Sequence, residues 1–285
     1  MNSKIIHLSD LHVGKHEKRN WTKLVDYIRC YYPGVPVAIT GDITNSGKEK
    51  QLEEARGWLT DLADSNPVFV VPGNHDYAWK GLFSFHSVGT NFKNWYAYLG
   101  APLGISHRTV VPQEWLPSDS RPIEGYGWYQ LDDHTVLFYV DSGDPQQKAR
   151  CARGWISKEM AGTLGHELLK FKNYTRIVML HHHPFSKGVF TALDGADRLM
   201  KVLNIAGCEL LLFGHKHVAG VWRNDYPPVP FRMYNPSKQV RCISAAHSSM
   251  DSLFGQMGGF SLIDIHDVGT RDVSFRPRVE LVDFA

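Results

Sequence analysis

The chain has 285 residues, of which 43% are hydrophobic, a formal net charge of +2 and four cysteines. That is enough for one large core; a second compact domain is permitted but not required. The near-neutral balance excludes the global basic field that long nucleic-acid tracks favour, and no window approaches the roughly 20 apolar residues of a membrane-spanning helix. Cys30, Cys151, Cys208 and Cys242 stand far apart and form no C-x-x-C pair, so they read as free thiols in a reducing compartment, and no spacing supports a structural zinc site. The opening run Ile5 to Leu8 is too short for the core of a signal peptide. The expectation is a soluble cytoplasmic protein.

In chain order, short apolar runs alternate with helical patterns. Ile5 to Leu8 is followed by Trp21, Leu24, Val25 and Ile28 at i, i+3, i+4, i+7. Val37 to Thr40 is followed by Leu52, Ala55, Leu59 and Leu62 on one helical face, and then comes Val68 to Val71. The segment from about Tyr77 to Gly127 is irregular and rich in aromatic residues, with a short helical stretch near Asn91 to Leu99 and a loop-like end carrying Pro112, Pro117 and Pro122. It reads as an insert or cap bordering the pocket, on which substrate choice depends. Packing on the core, stacking of a flat substrate group and dimerisation are all open roles for it. Val136 to Val140 is a further strand. Ile177 to Leu180 precedes Leu199, Val202, Leu203 and Ala206 at helical spacing, and Leu210 to Phe213 follows. Apolar runs without polar alternation suit strands covered on both faces, and their alternation with helices indicates βαβ units. Beyond Phe213 the candidates are short strands at Val218 to Trp222, Phe231 to Tyr234, Val240 to Ser244, Phe260 to Ile265 and Val273 to Phe275, which read as a mostly antiparallel second sheet. Two sheets packed face to face with helices outside would make a single domain over residues 1–285.

Five of these runs lead directly into residues of metal-ligand type. Ile5 to Leu8 delivers Asp10 and His12; Val37 to Thr40 delivers Asp42; Val68 to Val71 delivers Asn74, His75 and Asp76; Ile177 to Leu180 delivers His181, His182 and His183; Leu210 to Phe213 delivers His215 and His217. Sites in α/β sheets form outside the carboxyl ends of the strands, so five such ends can converge on one pocket. Carboxylates and imidazoles with one amide suit transition metals of intermediate hardness. One carboxylate can bridge two ions about 3.5–4 Å apart, an arrangement suited to phosphate ester hydrolysis. Each motif alone is weak; the ordered set carries the argument. Asp141-Ser142-Gly143, after another apolar strand, reads first as a polar turn, and His247 as a loop histidine. Arg150 and Arg153 read as solvated charge.

The series Asp10-Leu11-His12, Gly41-Asp42, Gly73-Asn74-His75-Asp76, His182-His183-Pro184 and Gly214-His215-Lys216-His217 resembles the calcineurin-like metallophosphoesterase superfamily, in the family's order. Gly-Asn-His-Asp with Gly-His-x-His is most similar to the class III cyclic-nucleotide phosphodiesterases and related bacterial phosphodiesterases. The resemblance implies an α/β fold, a four-layer α/β/β/α sandwich of two mixed sheets flanked by helices. It implies two divalent or mixed-valence transition metal ions, with manganese, iron, zinc and cobalt all compatible. Asp10, His12 and His217 would hold one ion, Asn74, His182 and His215 the other, and Asp42 would bridge. His75 would assist the leaving oxygen, with Asp76 orienting it. In this reading His182 is the ligand of the histidine triple, His181 points to the opposite face because side chains alternate along a strand, and His183 orients ligands from behind.

The expected activity is a dinuclear metal-dependent phosphodiesterase acting on small diesters of the cyclic-nucleotide or glycerophosphodiester type. A phosphomonoesterase or nucleotide pyrophosphatase on the same centre is the alternative, and a non-catalytic scaffold of the same fold the remote one. The partner is then a small-molecule phosphoester; nucleic acid is disfavoured, no membrane is expected, and a homodimer is favoured by analogy.

Overall fold

The computed structural model describes residues 4–77, 95–100, 126–143, 152–186, 188, 191–217, 220–222, 242–245, 250, 257–265 and 278–283. The first three apolar runs become β1 (Lys4–Leu8), β2 (Val37–Thr40) and β3 (Val68–Val71), which pair in parallel. The helical patterns between them become α1 (Lys18–Tyr31) and α2 (Glu49–Ala63). Trp21, Leu24, Val25 and Ile28 of α1 are buried, as are Leu52, Ala55, Leu59 and Leu62 of α2. Trp21 and Trp58 stack with ring centroids 5.5 Å apart, and the Trp21 indole donates to the carbonyl of Trp58 at 3.0 Å, so the two helices are fastened to each other.

The second sheet is built on β5 (Thr135–Val140), β7 (Thr175–Met179), β9 (Leu210–Phe213) and β11 (Cys242–Ala245), all parallel in the order β11-β9-β7-β5. Antiparallel edge strands β10 (Gly220–Trp222) and β4 (Tyr126–Asp132) close its two sides. Side-chain alternation assigns its faces. Leu137, Tyr139, Ile177, Met179, Leu210 and Leu212 share one apolar cluster with the first sheet. Val136, Phe138, Val178, Leu180, Leu211 and Phe213 belong to a separate cluster with helices α3 (Lys158–Lys170) and α4 (Ala196–Ala206). The layers therefore run helices, sheet, sheet, helices, the α/β sandwich of two mixed sheets that the sequence leads one to expect. A two-stranded parallel pair, β6 (Gly154–Trp155) with β8 (Leu193–Asp194), lies beside them.

The C-terminal strands differ from expectation. They do not make a sheet of their own. β10 and β11 extend the second sheet, whereas β12 (Met257–Asp264) pairs antiparallel with β1, and β13 (Arg278–Asp283) pairs with β12. The first sheet thus runs β13-β12-β1-β2-β3. A hydrophobic pattern fixes which residues face a core but not which edge a strand joins. β4, α3 and β13 escaped the sequence reading. In α3 the apolar spacing Met160, Leu164, Leu168 is diluted by Gly162 and Gly165, and Gly165 is needed because a Cβ there would stand 2.7 Å from Val202 of α4.

The strand candidates Phe231 to Tyr234 and Val273 to Phe275 lie outside the described residues, as does most of the aromatic segment of 77–127. Of its expected helix, Tyr96–Gly100 forms a π-helical turn, and Trp95 and Leu99 are buried in the first core. Among the described residues no helix is long and apolar enough to cross a membrane.

Candidate metal centre

The parallel pairing of β1 and β2 continues past both strands. Backbone amides of Asp10, His12 and Val13 donate to the carbonyls of Gly41, Asp42 and Ile43 at 2.8–3.0 Å, and Asn45 donates back to Val13 at 3.0 Å. Along this seam Asp10, His12 and Asp42 have φ of 55°, 47° and 49°, and across the pocket His215 and His217 have 77° and 52°. The left-handed region costs an L-residue roughly 1–2 kcal/mol. Among the described residues these are the only non-glycine positions with positive φ, and all five belong to the expected ligand set. Strain gathered at one place marks a site whose geometry the surrounding fold over-determines. Two glycines allow the close approach. A Cβ on Gly73 would stand 2.2 Å from Oδ1 of Asp42, and one on Gly41, at φ +85°, would stand 2.6 Å from Nδ1 of His181.

Two groups of donor atoms result. In the first, Nε2 of His217 lies 3.2 Å from Oδ1 of Asp10 and 3.2 Å from Nε2 of His12. In the second, Nε2 of His181 lies 3.1 Å from Oδ1 of Asn74, 3.3 Å from Oδ2 of Asp42 and 3.2 Å from Nδ1 of His215. Asp42 also groups with His12 and His75 on the first side, and with Asp10 and His181 on the second. Donor atoms about 2.0–2.2 Å from a common ion stand about 3–3.5 Å apart when adjacent in its shell, which is the spacing seen in both groups.

The histidine triple departs from the sequence reading. Alternation holds, but its phase is the reverse. Ile177 and Met179 face the first sheet, and His181 continues that face. Its Nδ1 donates to the carbonyl of Thr40 at 2.7 Å, which aims Nε2 at Asn74 and Asp42. His182 follows Leu180 on the helix side, where its ring packs over Gly154 and its Nδ1 lies 2.9 Å from Oγ of Ser142. Its ring centroid is nonetheless 4.9 Å from those of both His181 and His215. The strand is apolar on both faces, so the sequence carried no mark of phase. His183 accepts from the amide of Phe185 at 3.1 Å and packs on Phe213.

Asp76 also departs from expectation. Its carboxylate does not meet His75. It accepts from the amides of Ile43 (3.1 Å), Thr44 (2.7 Å) and Gly73 (2.8 Å) and from the Thr44 hydroxyl (3.0 Å). It thereby pins the loop carrying Asp42 to the loop carrying Asn74. His75 is set by the backbone instead: its Nδ1 donates to the carbonyl of Asn45 at 2.8 Å, and its amide donates to Oδ1 of Asp42 at 2.9 Å. The ring stands edge-on to His12, with centroids 4.8 Å apart.

Further polar residues border the centre. Ser9 donates to Oδ2 of Asp10 at 2.5 Å. Asp141 accepts a short hydrogen bond from the Tyr77 hydroxyl and another from the amide of Gly143 at 2.8 Å, so the polar turn after β5 ties the end of the β3 loop to the second sheet. Arg153 pairs with Asp194; Arg150 and His247 lie outside the described residues.

The electrostatics fit a cation site. Burial pushes His12 down to about 4 and His215 to about 3, the latter helped by His181, and it holds His182 well below the usual imidazole range. These rings are therefore neutral near pH 7 and carry a lone pair, the form that binds metals. Burial would lower His181 too, but the adjacent Asp42 carboxylate overrides it and raises the ring to about 9. Asp42 itself, despite burial, is held well below the usual carboxylate range, chiefly by His181. Nε2 of His182 is buried with no hydrogen-bond partner among the described residues. Buried polar atoms are otherwise nearly always satisfied, and a divalent ion would satisfy such a nitrogen.

A family model described as calcineurin-like phosphoesterase matches residues 3–219. No curated protein matches the chain. Among solved structures, TT1561 of Thermus thermophilus is 12% identical with a TM-score of 0.53, over 99% of this chain and 99% of that one. Purple acid phosphatase PPD1 from yellow lupin (Lupinus luteus) seeds is 14% identical with a TM-score of 0.55, over 91% of this chain and 48% of that one. A 5'-nucleotidase precursor, also from Thermus thermophilus, is 11% identical with a TM-score of 0.52, over 98% and 54%. At such identities the likeness is one of fold, and the chain spans about half the length of the last two proteins. With more than half of its residues matched by the family model, the chain belongs to the calcineurin-like phosphoesterase family.

Proposed function

We propose that the chain is a dinuclear metal-dependent phosphodiesterase for small diesters of the cyclic-nucleotide or glycerophosphodiester type. The observation that carries the reading is the position of Asp42 between two donor groups, one around Asp10, His12 and His217, the other around Asn74, His181 and His215. Asp10, His12 and His217 would hold one ion, Asn74, His215 and one histidine of the His181–His182 pair the other, and Asp42 both. When bound, such ions polarise phosphoryl oxygens and acidify water.

The chain's own groups do the rest. The donation from His75 Nδ1 to Asn45 fixes the ring and leaves Nε2 as the atom that faces a substrate beside His12 and Asp42. There it holds a proton for the departing alkoxide, which needs one to leave. Asp76 keeps His75, Asn74 and Asp42 in register by joining their loops. The preference for diesters rests on the likeness of Gly73-Asn74-His75-Asp76 and Gly214-His215-Lys216-His217 to the class III phosphodiesterases. Turnover of bis(p-nitrophenyl) phosphate against p-nitrophenyl phosphate, under manganese, iron, zinc and cobalt in turn, tests it. The diester is expected to be the better substrate, and a preference for the monoester overturns this part of the reading. His75→Ala should keep its metal and lose most activity on alkyl diesters, but less on nitrophenyl esters, whose leaving group needs little protonation.

A further inference from the structure

In the second donor group, three imidazoles rather than two face one another. His181, His182 and His215 offer ligand atoms that all lie within 4.8 Å of one another, and all three side chains are buried. Two donors on opposite sides of one ion stand about 4.0–4.4 Å apart, so small adjustments bring the three onto a common ion. The Thr40 carbonyl accepts from Nδ1 of His181, which leaves Nε2 as the nitrogen aimed at the second donor group. His182 repeats the arrangement. Ser142 Oγ lies 2.9 Å from its Nδ1 and accepts from its own backbone amide at 3.2 Å. In the tautomer whose Nδ1–H donates to this oxygen, Nε2 keeps its lone pair. That Nε2 is buried and has no hydrogen-bond partner among the described residues.

Building on the dinuclear reading above, we infer that His182 joins His181 and His215 in a three-imidazole donor set, which makes the second metal position richer in nitrogen than the first. The first position has two imidazoles, His12 and His217, beside the carboxylates of Asp10 and Asp42. The second has three beside Asp42 and the Asn74 amide oxygen. Imidazole suits zinc, cobalt and nickel, whereas oxygen ligands suit manganese and magnesium. The second position therefore discriminates against manganese more strongly than the first.

The test is proton NMR of the cobalt(II)-substituted chain. Each neutral imidazole bound to cobalt keeps one exchangeable N–H, which appears as a separate, strongly shifted signal. Five such signals are expected, from His12, His217, His181, His182 and His215. His182→Ala should remove one, and Ser142→Ala should keep all five while weakening the second ion about 10–100-fold, as loss of an orienting partner does. Two cobalt ions per chain with four signals in the unaltered protein, or an unchanged count in His182→Ala, overturns this inference and leaves the dinuclear reading standing. A chain that takes up fewer than two cobalt ions overturns both. Should His182→Ala fail to fold, the count in the unaltered protein decides.

Discussion

The two sheets contribute to the centre in different ways. The loops after β1, β2 and β3 are laced to one another by backbone hydrogen bonds, by the Asp76 carboxylate and by the Asn45 carbonyl. They supply every carboxylate and the amide. The ends of β7 and β9 supply imidazoles alone, packed ring against ring at 4.9–5.0 Å. The first half is organised by directed hydrogen bonds; the second is packed ring on ring. Anionic ligands repel one another and must be held by directed hydrogen bonds, whereas neutral rings can be packed like any apolar group.

The largest effect expected from breaking this contrast is at Gly73. Gly73→Ala drives a Cβ to 2.2 Å from the Asp42 carboxylate and 2.3 Å from its amide. Misplacement of about 1 Å can cost 100-fold in rate, so diester turnover should fall at least about 100-fold with loss of metal in elemental analysis. Full activity would mean that the lacing is looser than described.

Asp76→Asn tests the lacing next. It places an amide group opposite three backbone N–H donors. Hydrogen bonds to a charged group are worth about 1.5–3 kcal/mol each and an unsatisfied buried donor costs about 1–3 kcal/mol, so a loss of about 3 kcal/mol or more is expected in denaturant unfolding, with weaker metal binding. A variant that is fully stable and defective only in proton transfer would restore the role that the sequence suggested.

Chelation should separate the halves. Saturation at a hundredfold excess over Kd stabilises by about 3 kcal/mol. On metal removal, hydrogen exchange should accelerate more around His181–His183 and His215–His217 than around Asp10–Val13 and Asp42–Asn45. Equal acceleration would erase the distinction. The smallest effect belongs to the outer layer of the second sheet, where Ser157 caps α3 by accepting from the Met160 amide at 2.9 Å. Ser157→Ala should cost about 1 kcal/mol and leave metal content unchanged.

Much of this was legible in the sequence. Uninterrupted apolar runs ending in Asp10, Asp42, Asn74 and His215 announce strands whose ends meet, because strands buried on both faces belong to layered α/β folds. What the sequence could not carry was phase, edge and local partner. β7 is apolar on both faces, so nothing in it told His181 from His182. β12 and β13 look like any short strands, and their place beside β1 follows from three-dimensional closure. Asp76 stands next to His75 in sequence, but an adjacent residue points elsewhere, and its partners at Ile43 and Thr44 lie 32–33 positions away.

The proposed function requires Asp42 to join two ions in one working centre. Elemental analysis of the metal-loaded chain beside Asp42→Ala, with diester hydrolysis followed on the same samples, tests it most directly. Two ions per unaltered chain, fewer than two in the variant and no turnover by the variant is the predicted result. A purified Asp42→Ala chain that still hydrolyses the diester, with its metal missing, would contradict it.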